Sequence, residues 1–165
     1  PIAITGIILD NFAGLNTSKL SPDLLLWSTL GAIGVGFGEE VITRGGMVAG
    51  LRSRFPEVKV WLFSTLLFSA LHVPNVIFGL PLEAMPIQLL LTFVFGSGMY
   101  IIRRTSGTLI LPMFLHGLWD SSLFLSNTTG VEPTVAQWGI YPLAIVCAIA
   151  VLLKSSTPND EARDA

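Results

Sequence analysis

Long apolar stretches alternate with short polar segments along the whole chain. Proline, glycine and charged residues separate the stretches, as expected for turns between helices. A helix that crosses the hydrocarbon core of a bilayer needs about 17–25 mainly apolar residues. The stretches cover residues 22–51, 57–73, 86–102, 107–125 and 135–153. The pattern therefore predicts an all-α fold, a polytopic bundle with about five transmembrane helices.

The two ends of the chain depart from this pattern. Residues 1–15 are apolar but short, which is typical of an interfacial piece or of the tail of a further span. Since the chain begins with Pro1, we expect upstream spans to be missing at the N-terminus. Residues 155–165 are polar and are expected to be disordered. We predict a single transmembrane domain over residues 1–154, followed by this polar tail.

The composition places the chain in the membrane class. It is 52% hydrophobic and only 12% charged, whereas soluble domains carry about a quarter charged residues. The net charge of -2 provides no basic surface, which excludes a nucleic-acid partner. One cysteine cannot form a disulfide framework. We therefore expect an integral membrane protein whose surroundings are lipid.

Basic residues lie at one set of predicted helix ends. The opposite loops carry only Lys19. Loops rich in Lys and Arg stay on the cytoplasmic side. The prediction is that these ends, and with them the C-terminus, are cytoplasmic. The residues concerned are Arg52, Arg54, Lys59, Arg103, Arg104 and Lys154.

Charged residues also lie inside the first predicted span, where they are costly and usually functional. Glu40 and Arg44 are four residues apart, so they share a helix face and can pair. Glu39 points about 100° away from Glu40, towards another part of the bundle. One carboxylate can therefore be held ionised by the arginine, while the other faces a cavity as a general base.

Both histidines of the chain, His72 and His116, lie in apolar stretches as well. Asp120 follows His116 by four residues and can orient its imidazole or add a ligand. Phe68 and His72 repeat this spacing. At about 1.5 Å per residue, Glu39, His72 and His116 lie about 20, 22 and 14 Å from the cytoplasmic ends of their helices. These three side chains can therefore meet at comparable depths.

Three short motifs occur in order on three predicted spans: Glu39-Glu40-x-x-x-Arg44, Phe68-x-x-x-His72 and His116-x-x-x-Asp120. They resemble the motifs of the CPBP (CAAX protease and bacteriocin-processing, or Abi) intramembrane endopeptidases. This family includes the eukaryotic Ras-converting prenyl-protein endopeptidases. The resemblance covers roughly residues 30–125, most of the chain.

The resemblance implies a role for each motif. Glu39 would activate a water for attack on a peptide carbonyl. His72 would hold that water or, together with His116, stabilise the oxyanion, and Glu40 and Arg44 would form a supporting pair. Eukaryotic relatives end the third motif in Asn. Asp120 is therefore expected to orient His116 or to accept a hydrogen bond from the water.

A metal site is the alternative use of these groups. Glu39, His72 and His116 would suit a catalytic zinc with an open water position. The chain has no His-Glu-x-x-His motif, and its two histidines come from separate spans. The resemblance favours a metal-free glutamate mechanism, so we expect no cofactor.

Together these observations predict an intramembrane endopeptidase that cleaves a peptide or protein, lipid-anchored substrates included. The compact size fits a protein of a prokaryotic plasma membrane. The main alternative is a non-catalytic peptide-binding, immunity or scaffold protein that uses the same buried polar cluster. A proton or ion pathway is a third hypothesis, and an ion network that only fixes helix packing is a fourth.

Overall fold

The computed structural model describes residues 1–131 and 135–155, and every element in this part is helical. The helices are α1 Ile2–Ala13, α2 Pro22–Glu40, α3 Val48–Arg52, α4 Glu57–Ala70, α5 Met85–Ser106, α6 Ile110–Thr129 and α7 Val135–Ser155. A π-helical segment, Val41–Met47, joins α2 to α3, and short 3-10 turns lie in the loops. The predicted all-α helical bundle is confirmed. The polar tail expected from residue 155 lies outside the described residues from 156 onwards.

Helices occupy all five predicted stretches. Within residues 1–131 and 135–155, two continuous helical segments are long and apolar enough to cross a membrane: Pro22–Arg52 and Leu82–Ser106. Shorter apolar helices cover Ile2–Ala13 and Trp138–Leu153. The second predicted stretch ends early, because α4 stops at Ala70 and the chain then turns through His72.

Local chemistry explains where α2 begins and α5 ends. The Ser21 side chain accepts a hydrogen bond from the Leu24 amide (3.1 Å) and caps α2, while Pro22 occupies the first helical position. Gly107 has φ +69° and closes α5 in the left-handed conformation. The prediction that the fourth stretch starts at residue 107 is therefore wrong, because α6 begins at Ile110.

Residues 2–13 form a helix that belongs to the bundle. Ile4, Ile7 and Ile8 are buried in the main apolar core. Asn11 donates a hydrogen bond to the hydroxyl of Ser122 on α6 (3.1 Å). The apolar face of this helix therefore packs against α6, and its assignment to the tail of a further span stays a prediction.

A close crossing of α2 and α6 positions polar groups of the bundle. A Cβ atom at Gly36 would lie 2.6 Å from the Gly117 backbone nitrogen, and one at Gly117 would lie 2.8 Å from the Ile33 Cα. Only glycine allows this approach. Since Gly36 precedes Glu39 by three residues and Gly117 follows His116, the crossing brings these two side chains together.

The two ends of the bundle differ in charge. Glu57, at the start of α4, pairs with Arg52 of α3 (3.0 Å) and with Arg104 of α5. At the opposite end, the Lys19 ammonium donates to the Thr129 carbonyl (3.0 Å). Basic side chains from consecutive helix ends therefore meet on one side, as the charge pattern indicates. The assignment of that side to the cytoplasm stays a prediction.

Candidate active site

A buried arginine forms the base of the polar site. Arg44 and Glu40 are both 0% exposed, and Nη1 of Arg44 donates to Oε1 of Glu40 (3.1 Å). Nη1 also donates to the Thr43 hydroxyl (2.7 Å), and Nη2 donates to the Gly96 carbonyl (2.7 Å). The guanidinium carbon lies 4.0 Å from the ring centroid of Phe68. The predicted Glu40–Arg44 pair is thus present and is held by α2, α4 and α5.

The backbone at this point is a π-helix rather than an α-helix. The segment Val41–Met47 starts directly after Glu40 and contains Thr43 and Arg44. The Thr43 hydroxyl donates to the Glu39 carbonyl (2.6 Å). Single π-helical turns are rare and often occur at functional sites. The sequence did not reveal this segment.

His116 extends the cluster from α6. Its Nδ1 atom lies 3.0 Å from Oε1 of Glu40, and the ring is only 2% exposed. A carboxylate accepts hydrogen bonds, so Nδ1 carries a hydrogen and donates it. Glu40 therefore orients the imidazole, a role that the sequence had offered to Asp120. The second ring nitrogen, Nε2, is left pointing away from the Glu40–Arg44 pair.

Two further carboxylates flank this second nitrogen. Oδ2 of Asp120 lies 3.4 Å from Nε2 of His116, and Oε2 of Glu39 lies 3.9 Å from it. The side chain of Glu39 is 21% exposed and that of Asp120 is 32% exposed. Among the described residues, Oε2 of Glu39 has no hydrogen-bond partner. The adjacent glutamates thus have different surroundings, as their angular separation on the helix predicts.

His72 reaches the same region from the turn after α4. Its Nδ1 lies 3.0 Å from the Phe68 carbonyl oxygen. The Phe68 ring centroid is 5.2 Å from the ring of His72 and 5.5 Å from that of His116. Phe68 therefore packs against both histidines, of which His72 lies in the turn after α4 and His116 on α6.

Three of these residues, His72, His116 and Asp120, line a cavity of about 410 Å³ between α4, α5, α6 and α7. Glu39 is not part of its described wall, and the Glu39 carboxylate adjoins the cavity through Nε2 of His116. Most of the remaining wall is apolar or aromatic. An apolar cavity with a few convergent polar side chains is the usual form of a site for an organic ligand.

The alternative zinc set was Glu39, His72 and His116. In the part of the chain that the structure describes, no three His, Cys, Asp or Glu side chains are placed together to hold a metal ion. The Nδ1 atoms of both histidines contact protein oxygens, so Nε2 is the nitrogen of each ring that could bind a metal. The zinc set of Glu39, His72 and His116 stays an alternative prediction. The expectation that the protein has no cofactor stays a prediction.

Some residues of the site were not predicted from the sequence. Thr43 and Gly96 hold Arg44, yet neither residue type signals such a role. A Cβ atom at Gly96 would lie 2.7 Å from Cδ1 of Phe68 and 2.9 Å from Nη2 of Arg44. Gln88 also lines the cavity. A single amide side chain in an apolar stretch is a feature that could have predicted this position in the site.

Comparison of the sequence with known proteins identifies the family of the chain. No curated protein and no solved structure matches the chain. The family described as type II CAAX prenyl endopeptidase Rce1-like matches residues 21–122. This range is more than half of the chain, contains all six candidate residues and confirms the resemblance of the three motifs. The chain therefore belongs to the type II CAAX prenyl endopeptidase Rce1-like family, whose members are helical membrane proteins.

Proposed function

We propose that this protein is an intramembrane endopeptidase in which Glu39 activates a water for hydrolysis of a peptide bond. Family membership supports a protease that acts on a peptide or protein. One observation carries the assignment of roles: a buried oxygen of Glu39 has no hydrogen-bond partner among the residues that the structure describes and lies 3.9 Å from Nε2 of His116. The other nitrogen of the same ring contacts the buried Glu40–Arg44 pair.

The proposed reaction begins with Glu39 as a general base. Its carboxylate takes a proton from the water while the water oxygen bonds to the peptide carbonyl carbon. Glu39 then gives this proton to the amide nitrogen as the carbon–nitrogen bond breaks. The products are a new carboxyl group and a new amine, and Glu39 returns to its starting state.

The negative charge on the carbonyl oxygen needs a donor during the reaction. A His116 ring protonated on both nitrogens can donate from Nδ1 to Glu40 and from Nε2 to this oxygen. His72 lines the same cavity and can hold the water or assist at the oxyanion. Arg44 acts through Glu40 and is a positioning residue in this proposal.

Asp120 lies 3.4 Å from Nε2 of His116. Because an ionised carboxylate cannot donate to an oxyanion, Asp120 is proposed to accept a hydrogen bond from the water or, before the oxyanion forms, from Nε2 of His116. The proposal requires no metal or other cofactor.

The proposal also includes the setting of the enzyme. The basic helix ends that meet around Glu57 support a cytoplasmic position for that end of the bundle. The C-terminus would then be cytoplasmic, in a prokaryotic plasma membrane. A mainly apolar cavity would accept peptides that are membrane-embedded or lipid-anchored.

The test is cleavage of a quenched fluorescent peptide library by detergent-purified protein. Glu39→Gln and His116→Ala should each abolish cleavage, while Asp10→Asn, a carboxylate-to-amide change on an exposed part of α1, should leave it intact. A strong chelator should have no effect on the wild type. Cleavage that persists in Glu39→Gln would overturn the assignment. Tight peptide binding without turnover by the wild type would favour a peptide-binding protein instead.

A further inference from the structure

The cavity wall contains one amide side chain that the proposed chemistry does not use. Gln88 lies in the first turn of α5 and lines the cavity with His72, His116 and Asp120. Its amide oxygen, Oε1, is buried and has no hydrogen-bond partner within residues 1–131 and 135–155. This oxygen is an acceptor held at the edge of the reaction site.

The polar neighbours of Gln88 are already engaged. The Thr92 hydroxyl donates to the Gln88 carbonyl (2.9 Å) and lies 3.2 Å from Oγ of Ser69. Ser69 donates to the Leu89 carbonyl (2.7 Å). These bonds fasten α5 to the end of α4, just before His72. The backbone that carries Gln88 is thus fixed relative to the site, while its amide oxygen is left open.

A buried acceptor without a hydrogen-bond partner destabilises the folded protein, because it has lost its water and gained nothing in exchange. Such groups are few in native proteins, and each one calls for a physical explanation. A peptide that enters an apolar cavity brings unpaired donors, because its backbone N–H groups lose their hydrogen bonds to water. A hydrogen bond between the two would satisfy both groups.

We infer that Oε1 of Gln88 accepts a hydrogen bond from a backbone N–H of the substrate and so sets the position of the peptide in the cavity. This inference rests on the proposed function. It assigns the recognised chemistry to the peptide part of the substrate, since a hydrocarbon chain has no donor to offer. Gln88 takes no part in the bond cleavage itself.

Peptide binding tests this inference separately from catalysis. The probe is the tightest-binding member of a fluorescent peptide library on Glu39→Gln protein, measured by anisotropy. Adding Gln88→Leu, which keeps the bulk but removes the acceptor, should weaken binding about 5- to 20-fold, the worth of one hydrogen bond. Gln88→Glu keeps an acceptor and should bind more tightly than Gln88→Leu.

Backbone N-methylation of the same peptide identifies the bond. One N-methyl position should weaken binding to the Gln88 protein and have no further effect on the Gln88→Leu protein. A purely structural role of Gln88 would not produce this dependence. In the cleavage assay, Gln88→Leu should raise KM and leave kcat nearly unchanged.

The outcomes separate the two proposals. Unchanged affinity in Gln88→Leu, N-methyl effects that are the same in both proteins, or no peptide binding would overturn the role of Gln88. Peptide binding that depends on Gln88, without any cleavage by the wild type, would support the role of Gln88 and overturn the protease.

Discussion

Two glutamate–arginine clusters in this protein contain similar side chains but have different roles. The inner cluster pairs Glu40 with Arg44, both 0% exposed, and adds His116. The outer cluster pairs Glu57 with Arg52 and Arg104, and adds the hydroxyl of Tyr100. In the outer cluster Glu57 is 14% exposed and Arg104 is 19% exposed. Only the inner cluster adjoins the cavity.

The comparison shows that the third partner decides what an ion pair does. Glu57 joins the ends of three helices, and its other contact is a tyrosine hydroxyl. Glu40 instead holds one nitrogen of an imidazole, so that the other nitrogen faces Glu39 and Asp120. The outer cluster therefore only holds helix ends together, while the inner cluster positions the groups proposed to react. The inner cluster bears the larger desolvation cost, because water does not reach it.

The largest predicted difference between the clusters is in stability. Arg44→Met leaves the buried Glu40 without its cation and should lower the free energy of unfolding by about 3–5 kcal/mol. Arg104→Met, the matched change at the partly exposed cluster, should cost at most about 1 kcal/mol. Unfolding of both variants in mixed micelles by added SDS measures this. Equal losses would show that the clusters are energetically alike.

The second prediction concerns the space around Arg44. Gly96→Ala would place a methyl group against Arg44 and Phe68, so cleavage should fall about 100-fold, as expected when a site is displaced by about 1 Å. Gly98→Ala, on the opposite face of the same turn of α5, is the control. Its methyl group would lie 3.4 Å from the Cβ of Ala144, an ordinary van der Waals contact away from Arg44. The measurement is the rate of peptide cleavage by the two variants, which should be much lower for Gly96→Ala than for Gly98→Ala. A comparable loss in both would point to a general defect of α5.

A smaller effect is expected for Asp120→Asn. Glu40 already orients His116, and an amide oxygen still accepts a hydrogen bond next to Nε2. Cleavage should therefore fall by less than about tenfold, below the 10²–10⁴ that general acid–base groups contribute. Asp120→Leu should be worse than Asp120→Asn. Abolition of cleavage by Asp120→Asn would instead assign a direct proton-transfer role to this carboxylate.

The smallest effect should come from Glu57→Gln. The outer cluster is partly exposed, so losing its carboxylate should cost up to about 1 kcal/mol and leave cleavage unchanged. Because salt screens exposed charges, the difference from the wild type should shrink at high ionic strength. Unfolding at low and high salt tests this. A loss of cleavage would show that the outer cluster acts on the site.

Individual residues show how far the sequence leads. Ser21 and Pro22 specify the start of α2, because a cap and a first-turn proline act within a few residues. The spacing of Glu40 and Arg44 predicts their pairing for the same reason. The order of the three motifs is sufficient to identify the family. The position of α1 in the core was not predicted, since a short apolar stretch carries no information about what covers it.

The sequence by itself determined the five long helical stretches apart from their exact ends, the membrane class, the two separate environments of Glu39 and Glu40, and the six candidate residues. Hydropathy and spacing act along one chain segment, so they can be read without a fold. Only the tertiary structure decided that Glu40 contacts Nδ1 of His116 while Asp120 lies beside Nε2, and that Gly96 and Gln88 lie at the site. These facts depend on contacts between distant segments, such as the glycine crossing of α2 and α6, whose geometry no single segment specifies.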